Sequence, residues 1–157
     1  MRRADREVKE FNEITDILSR CDTIRLGLNG GEYPYVVPLS FGFEVIGQAI
    51  VFYIHGAKEG LKHDLIAKDN RVCVEASIFH EFTEVPEHNT VTTQYESFIG
   101  FGKAEKVIGQ AAVRGLDLIC EQAGFKGFDY GGERALDAVT VYKIEIASFT
   151  GKRRLAK

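Results

Sequence analysis

The stretch His55-Gly-Ala-Lys-Glu-Gly-Leu-Lys-His-Asp64 combines residue types and spacing suited to anion chemistry. Before it, the run ending at Ile54 is β-branched or aromatic; after Gly56, the apolar residues Leu61, Leu65 and Ile66 fall at helical spacing. The segment therefore reads as a strand-to-helix junction. A helix N-terminus offers amides without intrahelical partners and a partial positive charge. Gly56 and Gly60 let backbone approach closely, and Lys58 and Lys62 add cationic donors. Together these would hold a phosphate. The same residues equally suit a glycine-rich turn into a surface helix with solvated lysines, and local chemistry does not separate the two readings.

Other chemical signatures are missing. Gly100-Phe-Gly102 is followed by Glu105 where a dinucleotide fingerprint needs a third glycine, and it sits inside a strand pattern. There is no GxxxxGK[ST] and no GxSxG. His55, His63, His80 and His88 form no HxxxH pair, so no metal site is expected. Cys21, Cys73 and Cys120 form no CxxC and read as reduced thiols, pointing to a cytoplasmic protein. A formal net charge of -3 leaves no excess of cations for a nucleic-acid partner, and the charged N-terminus leads into no membrane-spanning run. With 157 residues, 45% of them hydrophobic and 27% charged, the chain reads as one globular domain over residues 1–157.

The elements that would position this segment follow from periodicity. A short helix is expected from Asn12, its N-cap, to Arg20, packed across a barrel mouth; a strand from Thr23 to Leu28 should reach a turn at Asn29-Gly30-Gly31. The next strand, Tyr33 to Phe43, contains Pro34 and Pro38, which places Pro38 at a sheet edge or a bulge. Further strands are expected at Ala49 to Ile54, Arg71 to Phe79, Thr92 to Val107 and Val139 to Phe149. Helices are expected after Gly56 and from Gln110 to Ala123, the latter capped by Gly124. His80 to Thr90 reads as a polar loop, and the tail from Gly151 as basic and mobile. The alternation slips phase between Val141 and Tyr142, as a bulge would cause. The sum is a mainly β protein with peripheral α: a six-stranded antiparallel barrel with about three helices.

Four blocks in register carry a resemblance. Tyr33-Pro-Tyr-Val-Val-Pro-Leu-Ser-Phe41, Phe52-Tyr-Ile-His-Gly-Ala-Lys-Glu-Gly-Leu-Lys62, Asn70-Arg-Val-Cys-Val74 and Tyr95-Glu-Ser-Phe-Ile-Gly-Phe-Gly-Lys-Ala-Glu105 resemble the pyridoxamine 5'-phosphate oxidase-like FMN-binding split-barrel superfamily. Within it, the chain looks most like the Nim-type 5-nitroimidazole resistance branch. The similarity runs from Arg2 to Val107 and returns at Phe149-Thr-Gly-Lys-Arg153.

The resemblance implies a homodimer with FMN, or alternatively FAD, in a groove at the subunit interface. Ala57, Lys58, Gly60 and Lys62 would then hold the phosphate. Val37, Pro38, Leu39 and Ser40 would line the isoalloxazine ring with a bulged backbone, and Ser97 would reach the flavin from its strand. His55 matches the histidine beside the flavin and is the candidate reactive residue, with a packing role as its plain alternative. The implied activity is reduction of a small aromatic nitro compound such as a 5-nitroimidazole. Two other readings stay open: an oxidase of a pyridoxamine-like amine, and a flavin- or haem-binding sensor or storage module without turnover. The oxidase is the poorer match, because Arg153-Arg154-Leu155 runs into Ala156 where that subgroup has proline.

Overall fold

The computed structural model of the chain describes residues 3–155. Period-two alternation places Ile24, Leu26 and Leu28, and likewise Val72, Val74 and Ala76, on one buried face, and this pattern builds a β-sheet around a single apolar interior. The order is β1 (Glu7–Val8), α1 (Phe11–Ser19), β2 (Ile24–Leu28), β3 (Tyr35–Leu39), β4 (Phe41–Ile46), β5 (Ala49–Ala57), α2 (Leu61–Lys68), β6 (Arg71–Val85), β7 (Thr90–Val107), α3 (Gly109–Gln122) and β8 (Val139–Arg154). The sheet runs β3-β2-β6-β7-β8-β5-β4 with every ladder antiparallel, and β1 adds to β8. Arg2, Ala156 and Lys157 lie outside the described residues.

Eight strands replace the expected six for a simple reason. The long strand expected from Tyr33 to Phe43 changes partner at Ser40: β3 pairs with β2, and β4 pairs with β5. The two-residue β1 accounts for the other addition. The ladder is consequently open between β3 and β4, which are linked only through the chain, so this is a split barrel and not a closed one. Pro38 lies in the edge strand β3, where its missing donor costs nothing, and the β2–β3 register is unbroken. The bulged alternative at Pro38 is therefore not realised.

Four further expectations are corrected. The helix α1 begins at Phe11 with Glu10 as its N-cap, so Asn12 is inside it. His80 to Thr90 is mostly a ribbon, in which β6 continues to Val85 and β7 starts at Thr90; neither face there is buried, so no alternation marks it. The phase slip at Val141 is not a bulge: Tyr142 and Ile144 face the barrel interior while Val141 packs under α3, so both faces of β8 are covered. The register does shift further on, at Ala147. Finally, Gly151 to Arg154 is an ordered strand held between β1 and β7.

Phe41, Phe52, Phe98, Ile54 and Ile144 fill the barrel, and Ile14, Ile17 and Leu18 of α1 close one mouth. The helix α3 covers the outside of β4 and β5, burying Leu116, Leu118 and Ile119 against Val51, Tyr53 and Val141. Among the described residues, no helix is long and apolar enough to cross a membrane.

Candidate cofactor site

The end of β5 carries the residues singled out by their chemistry. His55, Gly56 and Ala57 pair with Val141, Thr140 and Val139 of β8, after which the chain turns through Lys58, Glu59 and Gly60 into α2. Gly60 is the N-cap of α2 with φ 140° and ψ 159°, a conformation open essentially to glycine alone. The Lys62 ammonium folds back over this turn and donates to the His55 carbonyl at 3.2 Å. A Cβ at position 56 would lie 2.4 Å from that ammonium, so Gly56 is what makes room for it. Lys62 is half-buried, and the loss of solvation lowers its pKa. Lys58 is exposed and donates to the Leu136 carbonyl, which leaves two of its three hydrogens free for a ligand. Ala57 is exposed beside it.

His55 is half-buried, and its Nδ1 is buried with no hydrogen-bond partner among the described residues. Burial, and then the nearby Lys62 charge, lower its pKa, which favours the neutral imidazole. A buried nitrogen of this kind is one that a bound ligand group can satisfy. The next histidine was not singled out by its sequence position. His63 Nδ1 lies 2.9 Å from the Tyr142 hydroxyl, and the two rings stack with centroids 5.6 Å apart. No local pattern reveals this pair, because it joins α2 to β8 across 79 positions.

The remaining sequence candidates divide. Phe41 pairs with Ile54, so Ser40 stands one step past that pair, beside the row of His55. Val37 and Leu39 turn their side chains inward against the core, whereas Pro38 faces out; what β3 offers a ligand is its unpaired edge. Ser97 lies on β7 between Ser77 and Lys152, with β6 and β2 separating it from β3. One chain thus gathers His55, Ala57, Lys58, Gly60 and Lys62 in one corner with Ser40 adjacent, and leaves Ser97 apart. Of the aromatic residues interleaved with these blocks, Phe41, Tyr53 and Phe98 are core, while Tyr33 is exposed. A concavity of about 790 Å³ lies elsewhere, over Gly27, Pro34, Cys73, Phe101 and Lys103, and touches none of the expected site residues.

A family model described as pyridoxamine 5'-phosphate oxidase matches residues 10–153, which includes every block above. The chain belongs to the pyridoxamine 5'-phosphate oxidase family. Among solved structures, a candidate 5-nitroimidazole antibiotic resistance protein from Bacteroides thetaiotaomicron is 29% identical over 93% of this chain and 85% of its own, with a TM-score of 0.79. This family likeness agrees with the Nim-type branch that the sequence resembles. A flavocytochrome from Azotobacter vinelandii superposes with a TM-score of 0.82 at 17% identity, covering 99% of this chain and 72% of its own. An FAD and heme binding protein from Mycobacterium smegmatis gives 0.81 at 16%, covering 96% and 74%. The last two likenesses show the fold. No curated protein matches the chain.

Proposed function

We propose that this protein is a flavin-nucleotide-dependent oxidoreductase that reduces a small aromatic nitro compound, with FMN as its cofactor. The observation that carries this reading is the corner at the end of β5, where a glycine-only turn carries the exposed Lys58 and the half-buried ammonium of Lys62 folds back onto His55, whose buried Nδ1 has no partner among the described residues. This donor set fits a phosphate next to a polar ring edge. Lys58, Gly60, Lys62 and Ala57 would hold the phosphate; the free edge of β3 from Val37 to Ser40 would lie along the ring, and His55 would face ring or substrate. When bound, the flavin supplies the electron transfer, which explains why no acid, base and nucleophile constellation is needed in the chain. The part played by the protein is to orient the ring, exclude water and keep His55 neutral. Because Ser97 stands apart from the corner in one chain, the proposal includes a homodimer in which a second copy brings Ser97 to the site. The likeness to the B. thetaiotaomicron protein supports the nitro substrate.

The test is spectroscopic. Purified protein should carry a bound flavin absorbance band, with FMN as the ligand released on denaturation. Replacing Lys58 and Lys62 together with alanine should weaken FMN by on the order of a hundredfold, two charge-assisted hydrogen bonds, while riboflavin loses much less. Colourless protein whose melting temperature neither FMN nor FAD raises would refute the assignment. Equal losses for FMN and riboflavin would remove the phosphate role from the lysines.

A further inference from the structure

Strand alternation sets where the His55 ring points. Ile50, Phe52 and Ile54 of β5 face the barrel interior, whereas Val51 and Tyr53 face α3. His55 is in phase with Val51 and Tyr53, and its ladder partner Val141 also packs under α3. The buried Nδ1, without a partner among the described residues, therefore belongs to the α3 side of the sheet. On that side the neighbouring strand has stopped: Gly42 pairs with Tyr53 and Phe41 with Ile54, but no residue of β4 pairs with His55. What borders the gap is α3 and the chain that leaves it. The helix presses on β4 at Gly42 through the backbone of Leu118 and Ile119. One turn later Gln122 donates to the carbonyls of Leu18 at 3.1 Å and Cys21 at 2.8 Å. The connection from α3 to β8 then ends at the same corner, where the Leu136 carbonyl accepts from Lys58 and Val139 pairs with Ala57.

This connection, residues 123–138, is tied down along its length. The Tyr130 hydroxyl lies 2.9 Å from the Asp117 carboxylate and 3.0 Å from the Val113 carbonyl, and Tyr130, Ala135 and Leu136 pack against the core under α3. Its other two large apolar side chains are left out of that core. Phe125 is 63% and Phe128 58% exposed, and they stand edge to face with ring centroids 6.2 Å apart. Their backbone is prescribed: the Phe125 N–H donates to the Cys120 carbonyl, the Phe128 N–H to the Phe125 carbonyl, and Gly124 and Gly127 take φ 87° and 73°. Single exposed apolar side chains are ordinary, but an ordered pair of rings is a surface with a shape. Lys126 and Asp129 beside them are exposed and opposite in sign, so the surface selects by flatness and not by charge.

We propose that Phe125 and Phe128 are specificity-determining residues of this corner: they form the outer wall of a slot beside His55 that admits a planar aromatic substrate. The inference rests on the reading of the corner as the site where that substrate is reduced. A flat ring meets both phenylalanines with its π system while its polar group lies toward the His55 nitrogen. A saturated ring of the same size presents no π face, and its extra thickness opens the slot.

The test compares nitrobenzene, benzamide and cyclohexanecarboxamide as probes. Binding to the purified protein is read by NMR of its phenylalanine rings, which requires no turnover. Both aromatic probes should shift the Phe125 and Phe128 resonances and bind at least about fivefold more tightly than the saturated amide. Replacing Phe125 and Phe128 together with alanine should weaken both aromatic probes on the order of tenfold and leave cyclohexanecarboxamide and FMN within about twofold. Replacing both with tyrosine should keep the aromatic preference. Because the two side chains are exposed, the melting temperature should move by no more than about 2 °C in either variant. Failure of either aromatic probe to shift these rings, unchanged aromatic affinities in the alanine variant, or an equal loss of all three probes would overturn the inference. So would a loss of FMN, which would put the pair against the flavin, or a change of oligomeric state, which would put it against a second copy of the chain. If the probes bind as expected but the flavin-loaded protein does not reduce nitrobenzene, the nitro-reductase reading fails instead and the aromatic wall stands.

Discussion

Glu96 offers the most quantitative perturbation. Its carboxylate sits on β7 at 3% side-chain exposure and is met by Arg20 at 2.6 and 3.0 Å, Arg153 at 2.6 Å and His80 at 3.1 Å. Arg20 also reaches Asp16, and Arg153 also reaches Glu13, so one carboxylate ties α1 to β6, β7 and β8. The hydrogen bonds from Arg20 pull the Glu96 pKa from 4.5 to about 2, helped by Arg153 and His80 and opposed by burial. At about 1.4 kcal/mol per tenfold change in proton affinity, the ceiling on its contribution is about 3 kcal/mol. Solvent reaches Arg20 and Arg153, and screening brings the expected value to about 2 kcal/mol. Because the folded state holds this proton more weakly than the unfolded chain, the stabilisation is complete above pH 4.5 and is lost as pH falls from there to about 2. Glu96→Gln should accordingly melt about 4 to 8 °C lower at neutral pH, since each kcal/mol shifts a domain of this size by about 2–4 °C. Thermal melts of both proteins between pH 7 and pH 3 check this, with more than half of the gap expected to close by about pH 3. A gap that stays constant with pH would show that the cost comes from packing and not from the charge.

Two further outcomes follow from packing and thiol chemistry. Gly42→Ala would put a Cβ 2.3 Å from the backbone of Leu118 and 2.5 Å from that of Ile119, so α3 must shift off β4; we expect a cost of about 1–3 kcal/mol, read as a lower melting temperature. Cys21 is buried, donates to the Ile17 carbonyl at 3.2 Å and has its thiol pKa pushed up to about 11 by burial. Timed alkylation followed by mass spectrometry should therefore find Cys73 and Cys120, both half-buried, modified well before Cys21.

The barrel was legible wherever one face of a strand is buried and the other is wet. Arg71 to Phe79 and Thr23 to Leu28 announced themselves through that alternation. Where both faces are covered, as at Val141 and Tyr142, or neither is, as in the ribbon from Glu81 to Val85, the period disappears although the strand remains. The tail escapes a local reading for a different reason: Lys152, Arg153 and Arg154 look solvated in the sequence, but the acidic partners of Arg153, Glu13 and Glu96, are 140 and 57 positions away. The corner at His55 was legible because its glycines and lysines are contiguous. The Tyr142 contact was not, since nothing local links α2 to β8.

The open seam of the barrel and the corner at the end of β5 have one cause. The β4–β5 ladder ends at Phe41 and Ile54 because the chain leaves at Ser40 to pair with β2. Strand β5 then runs three residues further, His55 to Ala57, supported by β8 on one side only. Unpaired backbone at such an edge needs other partners, and the carbonyl of His55 finds one in Lys62. A strand continuing beside β5 would have taken that carbonyl, displaced the ammonium and filled the space that Gly56 leaves open. The change of partner at Ser40 is thus what leaves room for a cationic side chain to fold over the strand end, and it sets the unpaired edge of β3 alongside. An insertion that kept β4 paired past Phe41 would remove the corner even with every lysine and glycine in place.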